Sequence, residues 1–357
     1  MSRRIFILAP YPRGEAPSQR FRFEQYLPML EKEGFDIHFH SFLDNKTWNT
    51  LYSEGKYFAK ATGILKSFFR RWKILFSVKK SDHVFIHREA AHIGPPIFEW
   101  YLAKIRRINY IYDFDDAIWL PNYSASNAKV HRFKAYWKVK YCMKWAHRIT
   151  AGNEYLKQFA EKYNPNVQII PTTIDLKNQH TLKSNHNASP TVIGWTGTHT
   201  TMHYLDEIIP VIEELEKNYR FIFRVISNKA PNYKLKSLEF IKWNKTSEIE
   251  DLSQLNIGLM PLKEDKWSKG KCGFKALQYM ALEIATVLSP VGVNTEIVDQ
   301  RKNGLFADNP DAWRTALEQL LTDVNFRTQI AKAGRIQVKE RYSVEALAGT
   351  YLNLFKP

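Results

Sequence analysis

The chain has 357 residues, 44% of them hydrophobic and 25% charged, which indicates a globular, soluble protein with enough apolar side chain for two domains of roughly 150–200 residues each. Lysine and arginine outnumber aspartate and glutamate by 52 to 36, and the formal net charge of +16 favours anionic partners. The two cysteines, Cys142 and Cys272, have no metal-ligand spacing and exclude a disulfide framework.

No targeting or membrane-spanning segment is predicted. The apolar run at residues 5–9 is too short for a signal peptide and ends at Pro10, and no stretch approaches the ~20 apolar residues of a membrane span. We therefore expect a cytoplasmic protein, with the inner face of the plasma membrane as a candidate site of peripheral attachment.

The first half of the chain alternates between short apolar runs and amphipathic segments. The expected strands are 4–9, 35–39, 83–87, 109–112, 148–151 and 167–170, and the expected helices are about 19–32, 95–106 and 129–148. Continuous rather than alternating apolar runs are typical of buried parallel strands. This half is predicted to form one α/β domain over residues 1–180.

A polar segment at 177–190, without periodicity, is interpreted as the interdomain linker. Beyond it the expected strands are 191–195, 221–226, 257–260 and 286–288, and the expected helices are 204–217, 274–282, 310–321, 325–340 and 344–355. The second domain is assigned to 190–340, and the helix at about 342–357 is expected to pack back on the first domain. Ligands of doubly wound sheets bind at the carboxyl ends of the strands, so the loops there are the candidate sites.

Several segments in the second half match one enzyme family in order. They are Pro261-Leu262, Lys269 to Ala281, Val287 to Val298 and Asn303 to Phe306, preceded by Ile170 to Asp175 and Gly194 to Thr198. This pattern resembles the GT-B glycosyltransferases of family 4 (group 1), and is most similar to a subgroup with a Lys-x-x-Gln-Tyr-Met-Ala motif, here beginning at Lys275.

The resemblance implies an α/β protein of GT-B type, with two Rossmann-like domains facing a central cleft. It implies a hexosyltransferase-like enzyme (EC 2.4) that transfers a sugar from a nucleotide-diphosphate donor with retention of configuration and without a metal or other cofactor. The first domain would bind the acceptor, a glycan or lipid-linked polysaccharide precursor, and the second the donor. Two family glutamates separated by seven residues are replaced here, by Gly270 and Gln278.

Donor contacts are predicted from residues that suit a diphosphate. Gly197 and Thr198 follow a strand and open a helix, where backbone N–H groups can bind phosphate. Lys271, Gly273 and Lys275 precede or open the helix at 274–282, and a lysine there would neutralise the leaving group.

Two further groups complete the donor prediction. Gln278 shares a helix face with Lys275 and is a candidate for the ribose hydroxyls. Asn294, Thr295 and Glu296 follow a glycine turn, and Glu296 either contacts the donor or serves as a first-turn acid of a helix.

In the first half, Asp113 to Asp116 follows a strand and places three acids within four residues. Asp115 or Asp116 is predicted as a catalytic base or sugar contact, with a metal-binding Asp-x-Asp and a helix cap for Asp116 as alternatives. His87 is a catalytic candidate at another strand end.

Acceptor contacts are assigned to Arg88 and Glu89, which follow His87, and to Arg20 and Arg22, where an arginine fork suits an acceptor phosphate.

Two basic, aromatic stretches, 66–73 and 129–148, suggest an anionic membrane surface as a partner. A nucleic-acid-binding protein is an alternative on net charge alone, but no finger, helix-turn-helix or RNP pattern supports it, and no nucleic-acid partner is expected. A nucleotide-sugar epimerase of the same fold is the remaining alternative.

Overall fold

Continuous apolar runs form the central strands of two parallel sheets. The computed structural model describes residues 3–51, 55–121 and 131–356, and the chain divides into two units. One unit runs to Thr172 and takes in the segment from Ala348 onward, and the other runs from Thr173 to Leu347. Each unit has the doubly wound α/β architecture predicted from the sequence.

The first unit has a six-stranded parallel sheet with the order β2-β1-β3-β4-β5-β6. Its strands are β1 (Arg4–Ala9), β2 (Asp36–Ser41), β3 (His83–His87), β4 (Tyr110–Phe114), β5 (Arg148–Ala151) and β6 (Val167–Ile169). Its helices are α1 (Pro17–Arg20), α2 (Leu27–Lys32), α3 (Asn45–Leu51), α4 (Tyr57–Ser77), α5 (Ile97–Trp100), α6 (Lys138–Trp145) and α7 (Glu154–Glu161). The strand order reverses between β1 and β3, where such folds bind ligands.

The second unit repeats this plan with the order β12-β11-β10-β7-β8-β9. Its strands are β7 (Thr191–Gly197), β8 (Phe221–Ser227), β9 (Leu238–Lys242), β10 (Ile257–Met260), β11 (Ala285–Leu288) and β12 (Leu305–Phe306). Its helices are α8 (Ile209–Leu215), α9 (Glu248–Ser253), α10 (Lys266–Lys269), α11 (Phe274–Ala281), α12 (Asn294–Ile297), α13 (Pro310–Thr322) and α14 (Val324–Arg341), and α15 (Val344–Leu352) begins here and ends in the first unit. The order reverses between β7 and β10.

Three predicted helices differ from those observed. The helix expected at 19–32 is broken into α1, a 3₁₀ turn at Glu24–Tyr26 and α2, and the one expected at 204–217 is a 3₁₀ helix at His199–Leu205 followed by α8. A proline stands at the start of both α2 and α8, and a proline cannot continue a helix from the preceding turn. The helix expected at 129–148 is reduced to α6 after a 3₁₀ turn at His131–Lys134, and residues 129 and 130 lie outside the described residues.

Two segments near the unit boundaries have extensive contacts. In the polar segment 177–190, the Ser184 backbone N–H donates to the carbonyl of Leu282, and Arg327 donates to the carbonyl of His186, so the segment packs on the second unit. Near the carboxyl end, the Tyr351 ring stacks on Tyr26 in the first unit, with the ring centroids 4.1 Å apart.

Candidate functional site

A buried polar cluster lies at the carboxyl ends of three neighbouring strands of the first unit. The strand register pairs His87 of β3 with Asp113 of β4, and Asp113 with Thr150 of β5. His87 Nδ1 lies 2.7 Å from Asp113 Oδ2, and the Thr150 hydroxyl donates to Asp113 Oδ1 at 2.7 Å. All three side chains are buried, so the cluster is a fixed arrangement within the sheet edge.

Arg22 supplies the counter-charge for Asp113. Its Nη2 donates to Asp113 Oδ1 and its Nη1 to the carbonyl of Ile170. Burial alone would raise the pKa of Asp113, but Arg22 and the hydrogen bond with His87 lower it well below its usual value. Arg22, predicted as an acceptor contact, is thus 2% exposed and holds an internal carboxylate.

His87 keeps one ring nitrogen for another partner. With Nδ1 donating to Asp113, Nε2 is the remaining nitrogen, and it is buried without a hydrogen-bond partner among the described residues. Buried polar atoms are nearly always hydrogen-bonded in proteins, so an unpartnered one at a strand end marks a position that a ligand can complete. If His87 is a site residue, as the sequence predicts, Nε2 is the atom that would bind the ligand.

Asp115 and Asp116 are both bound by Arg88. The guanidinium Nε donates to Asp115 Oδ1 at 2.7 Å and Nη2 donates to Asp116 Oδ2 at 2.6 Å. Burial alone would lower the pKa of Arg88, but the two carboxylates raise it above its usual value. From the sequence, the repulsion between Asp115 and Asp116 favours a catalytic or metal-binding role for them. In the structure, their ion pairs with Arg88 balance this repulsion. The described residues contain no group of three His, Cys, Asp or Glu side chains arranged to hold a metal ion.

The other predicted acceptor residues have their own contacts. Glu89 forms a 2.9 Å ion pair with Lys138, and although burial would raise the pKa of Glu89, this ammonium holds it below its usual value. The Arg20 guanidinium lies over the ring of Phe21, 4.9 Å from its centroid. Glu89 is therefore part of a buried ion pair.

In the second unit, Lys275 lies in the first turn of α11, with its ammonium over the ring of Trp195 at 4.5 Å from the centroid. Burial, and to a smaller extent the nearby charge of Lys271, lowers the pKa of Lys275 to about 7. Within the described part of the chain no carboxylate pairs with Lys275. The ammonium is therefore desolvated and lies against an aromatic face, an arrangement that an anion would stabilise.

Three buried polar atoms near the same sheet edge also have no hydrogen-bond partner among the described residues. They are Nε2 of Gln278 on α11, Nε1 of Trp195 near the end of β7 and Oδ1 of Asn294 on α12. Asn294 is anchored through Nδ2, which donates to the carbonyl of Ser289 just after β11. Because β10 pairs with both β7 and β11, the loops after these strands emerge together.

Two predicted glycines are required by close packing. Gly273 has a φ of +67°, and a Cβ there would lie 2.1 Å from Cδ1 of Ile297. A Cβ on Gly197 would lie 2.5 Å from the Trp195 ring. These glycines allow α11 and the end of β7 to approach their neighbours closely, which sets the positions of Lys275 and Trp195.

The remaining predicted donor residues are nearer the surface. Thr198 occupies the N-cap position of the 3₁₀ helix, and its hydroxyl lies 2.8 Å from that of Thr200. Thr295 and Glu296 are exposed on α12, and the Thr295 hydroxyl donates to the carbonyl of Gly292. Lys271 is half-buried with its ammonium 5.6 Å from the centroid of the Trp267 ring.

Sequence reasoning missed three members of these clusters. The sequence places Asp113 in an acidic loop after a strand that ends at residue 112, whereas β4 runs to Phe114 and contains Asp113. Thr150 and Trp195 lie within strands and gave no separate signal.

The second unit matches a known family model. Residues 190–323 match the model described as "Glycosyl transferases group 1". A curated protein of Methanocaldococcus jannaschii, named an uncharacterized glycosyltransferase, is 33% identical over 86 residues, which is 24% of this chain. The match spans about a fifth of that relative's length, 22%. The second unit is therefore similar to group 1 glycosyltransferases.

Solved structures establish the fold over nearly the whole length of the chain. Sucrose-phosphate synthase from Thermosynechococcus elongatus superposes with a TM-score of 0.70 at 12% identity, covering 99% of this chain and 98% of that one. The Anabaena protein HepE in complex with UDP-glucose gives a TM-score of 0.64 at 10% identity, covering 98% of each chain. The protein therefore has the GT-B fold.

Proposed function

We propose that this protein is a retaining glycosyltransferase that transfers a sugar from a nucleoside-diphosphate donor to a hydroxyl group of a glycan or lipid-linked precursor. The proposal rests on one observation above others. Lys275 is a desolvated cation without an acidic partner in the described residues, and it lies in the unit that matches the group 1 family model.

A diphosphate fits the chemistry around Lys275. Its negative charge would offset the desolvation that lowers the lysine pKa, and the ammonium would stay protonated in the complex. Gln278 Nε2 and Asn294 Oδ1 add a donor and an acceptor that suit ribose or sugar hydroxyls. Gln278 replaces the glutamate of the resembled family, so it would bind without adding a negative charge near the phosphates.

The reaction is balanced without another reagent. The bond from the anomeric carbon to the diphosphate oxygen breaks, and a bond from that carbon to the acceptor oxygen forms on the same face of the sugar. The acceptor hydroxyl proton passes to the departing diphosphate. Negative charge grows on the leaving group as the bond breaks, and Lys275, with Lys271 nearby, would stabilise it. We therefore propose transfer without a metal ion.

We assign acceptor binding to the first unit. His87 Nε2 is a buried nitrogen at the carboxyl end of β3. Because Nδ1 donates to the Asp113 carboxylate, which fixes the ring, Nε2 of the neutral imidazole can accept a hydrogen bond from a hydroxyl group. Arg22 and Thr150 hold Asp113 in turn. Asp113 is thus a positioning residue, and Asp115 and Asp116 act with Arg88 to shape the loop after β4.

A donor-binding screen tests the proposal. The solved structure of HepE contains UDP-glucose, so UDP-sugars are tested first, followed by GDP- and dTDP-sugars, with CMP-sugars, which have no diphosphate, as a comparison. A donor at about 100 times its Kd should raise the melting temperature by about 5–10 °C. Gln278→Ala should reduce the shift, whereas Gln329→Ala, an exposed glutamine on α14, should leave it unchanged.

Product analysis distinguishes a glycosyltransferase from a nucleotide-sugar epimerase. A transferase releases nucleoside diphosphate in step with acceptor modification, and an anomer-specific product assay reports retention. Conversion of the donor into an epimer without an acceptor would identify an epimerase instead. The absence of any shift with every nucleotide sugar would refute donor binding by the second unit.

A further inference from the structure

Helix α4 of the first unit presents an unusual outer face. Phe58, Leu65, Phe69 and Phe76 are 84%, 57%, 68% and 63% exposed, which is rare for large apolar side chains. They are spaced seven, four and seven residues apart along the helix. At 3.6 residues per turn this spacing puts all four on one line, called here the apolar stripe, along a helix of 21 residues and about 31 Å.

The opposite face of α4 fixes the helix to the unit. Ser67, Arg71 and Leu75 are buried there. Arg71 donates to the backbone carbonyls of Ala90, His40 and Ala9. The apolar stripe is therefore turned outward by a specific anchor, rather than exposed by fraying of the helix.

Cations border the apolar stripe. Lys66 and Lys73 are exposed and lie three residues before and four residues after Phe69, so they are its neighbours on the helix surface. Neither lysine has an ion-pair partner among the residues that the structure describes, whereas Arg70 is paired with Asp44. The sequence of α4 contains no aspartate or glutamate.

We propose that α4 is a membrane-docking helix, which lies in the surface of an anionic bilayer with Phe58, Leu65, Phe69 and Phe76 among the acyl chains and Lys66 and Lys73 at the headgroups. An apolar stripe with flanking lysines and aromatic rings is typical of helices that lie in the interface rather than span the bilayer. No helix among the described residues has the length and hydropathy to cross one.

The charge of α4 favours an anionic bilayer over a second copy of the chain as the partner of the apolar stripe. Two α4 helices packed face to face would bring their lysines together without an acid on either helix to pair with them, and each chain carries +16. A phosphatidylglycerol surface supplies the missing anions. This inference stands apart from the proposed transfer reaction, because its test uses neither donor nor acceptor.

Vesicle co-sedimentation of the full chain tests the proposal. Binding is compared between phosphatidylcholine vesicles and vesicles in which about a third of the lipid is phosphatidylglycerol. The wild-type chain should bind the anionic vesicles. Phe58→Ser with Phe69→Ser, and separately Lys66→Glu with Lys73→Glu, should each weaken binding by roughly thirtyfold or more, since each lysine near an anionic surface and each buried aromatic contributes a large part of the affinity.

Matched controls lie on the second unit. Ile336→Ser with Leu182→Ser removes two other exposed apolar side chains, and Lys234→Glu with Lys302→Glu makes the same charge change on other exposed lysines. Melting temperatures establish that each variant is folded. Equal loss of binding in the control variants, equal binding to neutral vesicles, or a dimer that dissociates in the phenylalanine variant without any vesicle binding would each overturn the proposal.

Discussion

The protonation of Lys275 should set the pH dependence of donor binding. The pKa of its ammonium is lowered from 10.5 to about 7 in the free protein, and a bound diphosphate would raise it again. Donor binding above pH 7 must then be coupled to proton uptake. The Kd for UDP-glucose should be flat below pH 7 and rise by up to tenfold for each pH unit above it, because one pKa unit corresponds to about 1.4 kcal/mol.

Calorimetry in buffers of different ionisation enthalpy measures this coupling. Uptake of close to one proton per UDP-glucose is expected near pH 8.5. UDP-glucose is the appropriate probe because its diphosphate has no terminal phosphate to titrate. Lys275→Met should bind more weakly, with a Kd independent of pH, and Lys332→Met, an exposed lysine on α14, should behave as the wild type. A wild-type Kd that stays constant from pH 6.5 to 9 would refute the reasoning.

Three further predictions concern the internal contacts. Asp113→Asn should lower the free energy of unfolding by about 3–5 kcal/mol in urea titrations, because it removes the buried carboxylate that forms an ion pair with Arg22, and an unchanged unfolding midpoint would contradict this. His87→Ala should lower kcat/KM for the acceptor by about 10²-fold or more while the melting shift with donor persists, and loss of that shift would place His87 on the donor side. Gly273→Ala should cost about 1–3 kcal/mol because of the clash with Ile297 and the positive φ. Because Ile297 is itself buried, Ile297→Ala is also destabilising, but thermal unfolding should show that the two changes together cost less than the sum of their separate costs.

The sheets were predictable because their signal is local. Runs such as residues 5–9 are apolar at consecutive positions, which is typical of a parallel strand buried on both faces. Gly273 and Lys275 could also be selected, since they stand where a loop meets a helix. The two broken helices show the limit of periodicity, because Pro28 and Pro210 end a turn that the apolar spacing continues.

The choice among neighbouring acids needed the register of the sheet. Asp113 and Asp115 are the same residue type in one short acidic run, so the sequence does not distinguish them. They differ in the strands and the cations that lie beside them in the structure. Asp113 lies opposite His87 and Thr150 and meets Arg22, whereas Asp115 meets Arg88. Such pairings join residues up to 91 positions apart, as for Arg22 and Asp113, and no local pattern contains them.

The amino-acid sequence by itself determined the α/β class and the positions of the loops after the strands, because hydrophobic periodicity and turn residues act over a few neighbouring positions. Tertiary structure alone decided that Lys275 lies over Trp195 with a pKa near 7, and that the apolar stripe of α4 points outward. Desolvation and exposure depend on what packs against a side chain. Those neighbours come from distant parts of the chain.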